Sequence, residues 1–345
     1  EDVELGGPGP NEVLVRLAAC GVCHSDLHML RGEWANYKPP IVVGHEGAGI
    51  VERVGARVDT VKPGDHVVLG WRSSCRECRF CLTGRPYLCD RPPQLDPAST
   101  ISKDGRLLNR HLTNGYFAEY AVVPKSVAVP IDPEMPLDRA ALLACAVLTG
   151  FGAVVNTARV RPGSSVAVFG CGGVGLSIVQ GAVICGAARI IGVDVTDEKL
   201  AYARRFGLTD AVNATREDPV ATVKGLTGGM GVDYAFEAVG SGATVEQAFA
   251  SLDKGGSAVI AGIPSHRESV RPTLPMMGFF GDRAVTASYY GGANLWRDIP
   301  YLVTLYQQGR LDLDGLLARR YSLEAINEAF ADLAGGKPGR GVIVY

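Results

Sequence analysis

Apolar positions along this chain change their spacing in a way that divides it into three regions. Over residues 1–146 they form short β-like runs, "VLVRLAACGVC", "IVVGHEGAGIVERVG" and "GDHVVLG", with Gly and Pro between them. Such runs, punctuated by turn residues, predict strands of a mainly β domain. From 147 to 289 apolar strands alternate with helical stretches. "SSVAVFG", "RIIGVDV", "VDYAFEAVG" and "GSAVIAGI" are the strands, and "DEKLAYARRFG" is the clearest helix. Strand–helix alternation predicts a doubly wound parallel sheet, so the fold class is α/β with a second, mainly β domain. Residues 290–345 hold a helix, "LEAINEAFADLAGG", and a closing strand, "GVIVY", read as a return to the first domain.

Two stretches, 140–158 and 166–188, carry no charged residue and are long enough to span a bilayer. The second contains six glycines and opens as a strand and a tight turn, so a buried βα unit explains it better than lipid. The total of 345 residues suggests two domains with a sizeable core. A formal charge of −2 argues against an electrostatic nucleic-acid binder. The nine cysteines are odd in number and clustered, which favours metal over a disulfide framework and a reducing, cytoplasmic setting. The first residue is Glu and a strand falls within the first twenty positions, so the chain is expected to begin inside a domain.

"VAVFGCGGVGLSIVQ" places Gly170-x-Gly172-x-x-Gly175 between a strand and a helix. The first glycine makes the turn, the second lets backbone approach a pyrophosphate, and the third lets helix and strand pack closely. The helix N-terminus, with Gly173 and Val174, offers N–H groups and positive dipole to phosphate. "RIIGVDV" brings Asp194 24 residues after Gly170, where a carboxylate holds a ribose 2′-OH and repels a 2′-phosphate. NAD is therefore favoured over NADP.

Cys23 in "CGVCHSD", His45 in "GHEGAG" and Cys145 in "RAALLACAVLTG" form a candidate set of two thiolates and one imidazole. Three such ligands suit a zinc ion with one position left open. Cys75, Cys78, Cys81 and Cys89 follow C-x2-C-x2-C-x7-C, with Arg72, Arg76, Arg79 and Arg85 interleaved to offset thiolate charge. An iron–sulfur cluster fits this run less well, because the bacterial ferredoxin pattern has three residues and not seven before its last Cys.

In the order and spacing of these motifs, over essentially its full length, the chain resembles the zinc-dependent medium-chain alcohol dehydrogenases. The resemblance implies a GroES-like catalytic domain beside a Rossmann domain. It implies Cys23, His45 and Cys145 as catalytic zinc ligands and the cysteine quartet as a structural zinc site. Glu46 matches the acid behind the metal, and Asp26 the residue that hydrogen-bonds the ligand histidine. Zinc would act as a Lewis acid on the alcohol oxygen while hydride passes to the nicotinamide. Ser25 and His28 match the proton relay. His24 and Arg340 match pyrophosphate contacts, Lys199 the adenosine ribose, and Thr149 and Ile263 the rest of the cofactor site.

Counted along the family pattern, Trp34, Trp71, His111 and Tyr290 line the substrate pocket. Glutathione-dependent relatives carry an acid at the position of Trp34 and an arginine at that of Pro93; this chain has neither charge. The expected substrates are primary aromatic or medium-chain alcohols and their aldehydes. A zinc polyol dehydrogenase is the nearest rival. The length of the segment from Cys89 to Tyr120 favours a homodimer over the tetramer of shorter members.

Overall fold

The computed structural model describes residues 2–34, 38–265 and 271–345. The chain forms two compact units, Glu1–Cys145 with Ala293–Tyr345, and Ala146–Gly292. The texture of the sequence put these breaks one and three residues later and earlier, at 146/147 and 289/290.

The first unit is organised on the strand Glu12–Gly21. Its alternate residues Val13, Val15, Leu17 and Ala19 are buried, the period-two pattern of a half-buried strand. It pairs antiparallel with Gly47–Val54, Tyr120–Pro124 and Arg340–Val344 within a seven-stranded sheet. Two of these pairings build the site. Cys20 lies opposite Gly47, and Gly21 N–H donates to the Glu46 carbonyl, which brings residues 45–46 beside Cys23. Val342 lies opposite Gly21, which draws Arg340 to the same end. The run "IVVGHEGAGIVERVG" is not one strand but two, Ile41–Val42 and Gly47–Val54. Gly44 breaks it with a φ of +96°, a left-handed conformation that glycine adopts without the Cβ penalty.

The second unit is a six-stranded parallel sheet in the order Asp210–Asn213, Arg189–Asp194, Ser165–Phe169, Val232–Glu237, Leu252–Ile260, Ala284–Ala287. Its core includes Phe169, Ile191, Val212, Phe249 and Ala258. The two outer strands escape the sequence reading because each is only four residues long, too short to show a period, and as an edge strand is only partly covered. Neighbours lie on both sides of Ser165–Phe169, so the strand order reverses there and opens a crevice at its carboxyl end, at Gly170.

The apolar segment Leu137–Ala158 is a 22-residue helix that is 78% buried over its most apolar window, which makes it a core helix. Among the described residues it is the one helix long and apolar enough to cross a membrane.

Candidate active site

Cys23, His45 and Cys145 converge in the first unit. With the Glu46 carboxylate they offer four ligand atoms that all lie within 4.8 Å of one another. Cys23 stands at the cap position of the helix His24–Leu30, and His45 follows the break at Gly44. Cys145 sits in a π-turn of the long helix, Leu143–Val147, an irregularity often found where a side chain is aimed at a functional site. A hydrogen bond from the Cys145 thiol, aided by His45 and Arg340 against the cost of burial, holds Cys23 well below the ordinary thiol range. The same bond, with burial, pushes Cys145 well above it. The two thiols, His45 and Glu46 thus converge on one point, the place a divalent cation would take.

The Glu46 carboxylate is fully buried, and its Oε2 accepts from Arg340 at 2.5 Å while Oε1 has no hydrogen-bond partner. Burial pushes the carboxyl up to about 7, against the pull of Arg340. A Cβ on Gly21 would strike this carboxylate, so glycine is required there for the acid to reach the cluster. The donor chemistry, two thiols, an imidazole and one unsatisfied carboxylate oxygen, fits zinc. Asp26 is fully buried and accepts from His45 Nδ1 at 3.1 Å, which turns Nε2 toward the thiols.

The cysteine quartet closes on itself. Sγ–Sγ distances are 3.5 Å for Cys78–Cys81, 3.9 Å for Cys75–Cys81 and 4.0 Å for Cys78–Cys89. Four sulfurs at the Zn–S bond length define a tetrahedron with edges of about 3.8 Å. Backbone N–H groups of Glu77 and Cys78 point at the Cys75 sulfur, and that of Cys75 at the Cys89 sulfur. The N–H of Glu77 foremost, and that of Cys78, lower Cys75 to about 6, while burial and the neighbouring thiols raise Cys81 to about 12. The four cannot all ionise without a cation. The interleaved arginines each have a partner other than the sulfurs. Arg76 lies over the Trp296 ring, Arg79 and Arg85 lie over Phe80, and Arg72 donates to the Cys89 carbonyl.

In the second unit the three glycines differ in their surroundings. Gly170 has φ +96°, and a Cβ on Gly175 would strike the Gly170 carbonyl oxygen. Among the described residues, its chain neighbours apart, a Cβ on Gly172 would meet nothing within 4 Å, so its backbone borders open space where a pyrophosphate could approach. Gly172 caps the helix Gly173–Ile184 without a side-chain hydrogen bond, leaving the N–H groups of the first turn, Gly173 and Val174 among them, for a phosphate. Asp194 Oδ2 accepts from Cys171 N–H at 2.8 Å, and Oδ1 from Val195 and Thr196. The carboxylate thereby ties the glycine loop to the next strand, a second task the sequence did not reveal. Lys199 is half-buried on the helix Asp197–Arg204, and Thr149 is buried on Leu148–Gly152. Ile263 is exposed, as are Val195 and Val239 at the carboxyl ends of their strands. Nothing in the sequence separates those two valines from core valines.

Ser25 and His24 lie in the first turn of His24–Leu30, so Ser25 is not the cap of that helix; His24 is exposed. His28 Nδ1 is hydrogen-bonded to Glu33, and its ring stacks on Trp34 at 5.6 Å. Trp34 is buried and meets His111 at 5.9 Å; Trp71 is half-buried. Tyr290 is buried in the second unit, at a φ of 53°. Arg340, expected at the pyrophosphate, is buried against Glu46.

A mainly β unit with two thiol-rich clusters, and a doubly wound unit with a glycine-rich loop at a helix N-terminus, are the features of a zinc-binding dehydrogenase. The comparisons agree. The alcohol dehydrogenase GroES-like domain family matches residues 9–133, and the zinc-binding dehydrogenase family matches 173–308. The chain is 39% identical over 356 residues to the NDMA-dependent alcohol dehydrogenase of Amycolatopsis methanolica, covering 100% of this chain and 95% of that one. Among solved structures, the alcohol dehydrogenase zinc-binding domain protein from Burkholderia ambifaria superposes with a TM-score of 0.92 at 36% identity, over 99% of this chain and 94% of that one. Benzyl alcohol dehydrogenase from Acinetobacter calcoaceticus also gives 0.92, at 31% identity over 100% and 94% of the two chains. The chain belongs to the zinc-dependent medium-chain alcohol dehydrogenase family and is an oxidoreductase acting on CH–OH donors.

Proposed function

We propose that this enzyme interconverts primary aromatic or medium-chain alcohols and their aldehydes, using NAD, with zinc at Cys23, His45 and Cys145 and a second, structural zinc at the cysteine quartet. The observation that carries the reading is the convergence of two thiols, an imidazole oriented by Asp26, and Glu46 with an oxygen unpartnered among the described residues. When bound, zinc supplies Lewis acidity at the substrate oxygen and NAD supplies the hydride acceptor. The chain's own residues do the rest. Asp26 fixes the tautomer of His45, and Arg340 balances the charge of Glu46 behind the cluster. Ser25 and His28 carry the proton outward; Glu33 holds His28 by Nδ1, which leaves Nε2 as the exchanging nitrogen. Asp194 selects NAD by accepting from a ribose hydroxyl and repelling a 2′-phosphate.

The buried Trp34 and the absence of charge at positions 34 and 93 support an apolar substrate over a glutathione adduct. Apolar surface is worth about 25 cal/mol per Å², so an aromatic ring should gain several-fold or more over ethanol. The benzyl alcohol dehydrogenase similarity points the same way. A homodimer is supported by the exposed edge strand Ala284–Ala287 and the exposed Met276, Met277 and Phe280 beside it in sequence. Nine cysteines, none paired in a disulfide, suit a reducing, cytoplasmic compartment.

The test is a steady-state screen of benzyl alcohol, medium-chain alcohols, ethanol, sorbitol, threonine and S-hydroxymethylglutathione with NAD and with NADP, alongside zinc quantification. One further arm adds NDMA as electron acceptor, which the name of one relative suggests. Two zincs per chain and the highest kcat/KM for benzyl or medium-chain alcohols with NAD are expected. A higher kcat/KM for S-hydroxymethylglutathione or sorbitol, or equal use of NADP, would refute the substrate or cofactor assignment.

A further inference from the structure

We propose that His111 is a positioning residue of the metal centre, holding the Asp26 carboxylate that orients His45, and not simply a wall of the substrate pocket. The proposal rests on the catalytic zinc assigned above. His111 and Asp26 are both fully buried. Oδ1 of Asp26 accepts three hydrogen bonds, from Gly44 N–H at 2.9 Å, from His45 Nδ1 at 3.1 Å and from His111 Nδ1 at 3.0 Å. Oδ2 has no hydrogen-bond partner among the described residues. The carboxylate is therefore gripped by one oxygen, and His111 supplies one of the three grips. The two imidazoles meet edge to face, with ring centroids 5.2 Å apart. All three residues place a ligand-type atom within 4.8 Å of the others.

A wall residue would need none of this. A phenyl ring would fill the same space without an N–H, and burying an imidazole costs free energy unless its polar atoms are paired. The local backbone also bears a cost. His111 opens the short turn His111–Thr113, and the next residue, Leu112, sits at φ 52°, the left-handed region that costs an ordinary residue roughly 1–2 kcal/mol. Such a conformation persists where surrounding contacts over-determine it, as they do at functional sites. A second consequence follows from sharing. Asp26 divides its charge between two imidazoles, so His45 receives less of it than a lone partner would, and the metal's electron supply is set partly by His111.

The discriminating variants are H111N and H111Q, because Asn places its amide N–H near the position of Nδ1 while Gln places it near Nε2. H111F removes the donor altogether. Each protein is loaded with zinc, and release to a chromophoric chelator is followed; the open-site phase is the one absent from C145S. The open site is then refilled with Co²⁺ and its visible spectrum recorded. H111F and H111Q should release the open-site metal about tenfold faster, the usual cost of losing a partner that supports a metal ligand. Their Co²⁺ bands should shift, while H111N stays close to wild type in both. Wild-type release rates and spectra in both H111F and H111Q, with only KM altered, would overturn the proposal and return His111 to the pocket wall. Should H111F fail to fold, the Asn–Gln contrast alone decides. A wild type holding zinc only at the cysteine quartet would overturn the catalytic-metal reading and this role with it.

Discussion

Replacing Gly172 by Ala should separate cofactor binding from folding, with effects of opposite sign. A Cβ at this position meets no atom of the described residues within 4 Å, its chain neighbours apart. Its φ of −80° is open to any residue, so Ala introduces no strain. Reducing the freedom of the unfolded chain should then stabilise the protein by about 0.4–1 kcal/mol. The same methyl group would occupy the space through which a pyrophosphate must approach the helix N-terminus. Losing one charge-assisted hydrogen bond to the phosphate costs about 1.5–3 kcal/mol. At about 1.4 kcal/mol per tenfold, the Kd for NAD should rise roughly ten- to a hundredfold. Gly175 is the control, because a Cβ there would strike the Gly170 carbonyl and force the loop apart. Gly175→Ala should destabilise by about 1–3 kcal/mol, the cost of overpacking. Calorimetric NAD titration and thermal melts of the cofactor-free proteins read both quantities. A Gly172→Ala variant that binds NAD as tightly as wild type, or melts as early as Gly175→Ala, would refute the reasoning.

Cys145→Ser should abolish turnover while leaving the melting temperature near wild type, whereas Cys81→Ser should release one zinc and lower it; zinc counts, kinetics and melts together tell them apart. Asp194→Ala should raise the NADP/NAD ratio of kcat/KM; an unchanged ratio would show that another group selects the cofactor. It should also loosen the glycine loop, since the carboxylate accepts from Cys171 N–H, but that loss affects both cofactors and cancels in the ratio. For pH dependence, Asp138 is informative. Burial pushes its carboxyl up, but Arg139 and Arg320, at 2.9 and 2.8 Å, outweigh that and hold it below the usual 3.8. A depressed folded-state value stabilises above the unfolded value and is lost as pH falls through the folded one. Asp138→Asn should therefore lower the melting temperature at neutral pH, and its deficit should shrink as the pH drops below about 3.8; a deficit that stays constant into acid would contradict this.

The sequence alone determined features that depend on short stretches of chain. The cysteine quartet spans fifteen residues and the glycine loop six, so spacing suffices to predict a four-sulfur cluster and a phosphate-binding turn. The alternation of strands and helices likewise determined the parallel sheet, because burial on a fixed period is written into each segment. Only the tertiary structure decided which distant groups meet. Arg340 finds Glu46 across 294 residues, and His111 finds Asp26 across 85. Both meetings depend on strand pairing and on the turns after Gly44 and Arg110, which set where a side chain ends up but leave no local periodic trace. Arg76 shows the same limit: its place beside the quartet was visible in the sequence, but the Trp296 ring it lies over is brought from the far end of the chain only by folding. Apolar burial repeats along the chain and can be read from it; a pair of buried polar groups occurs once, at a place that the whole fold defines.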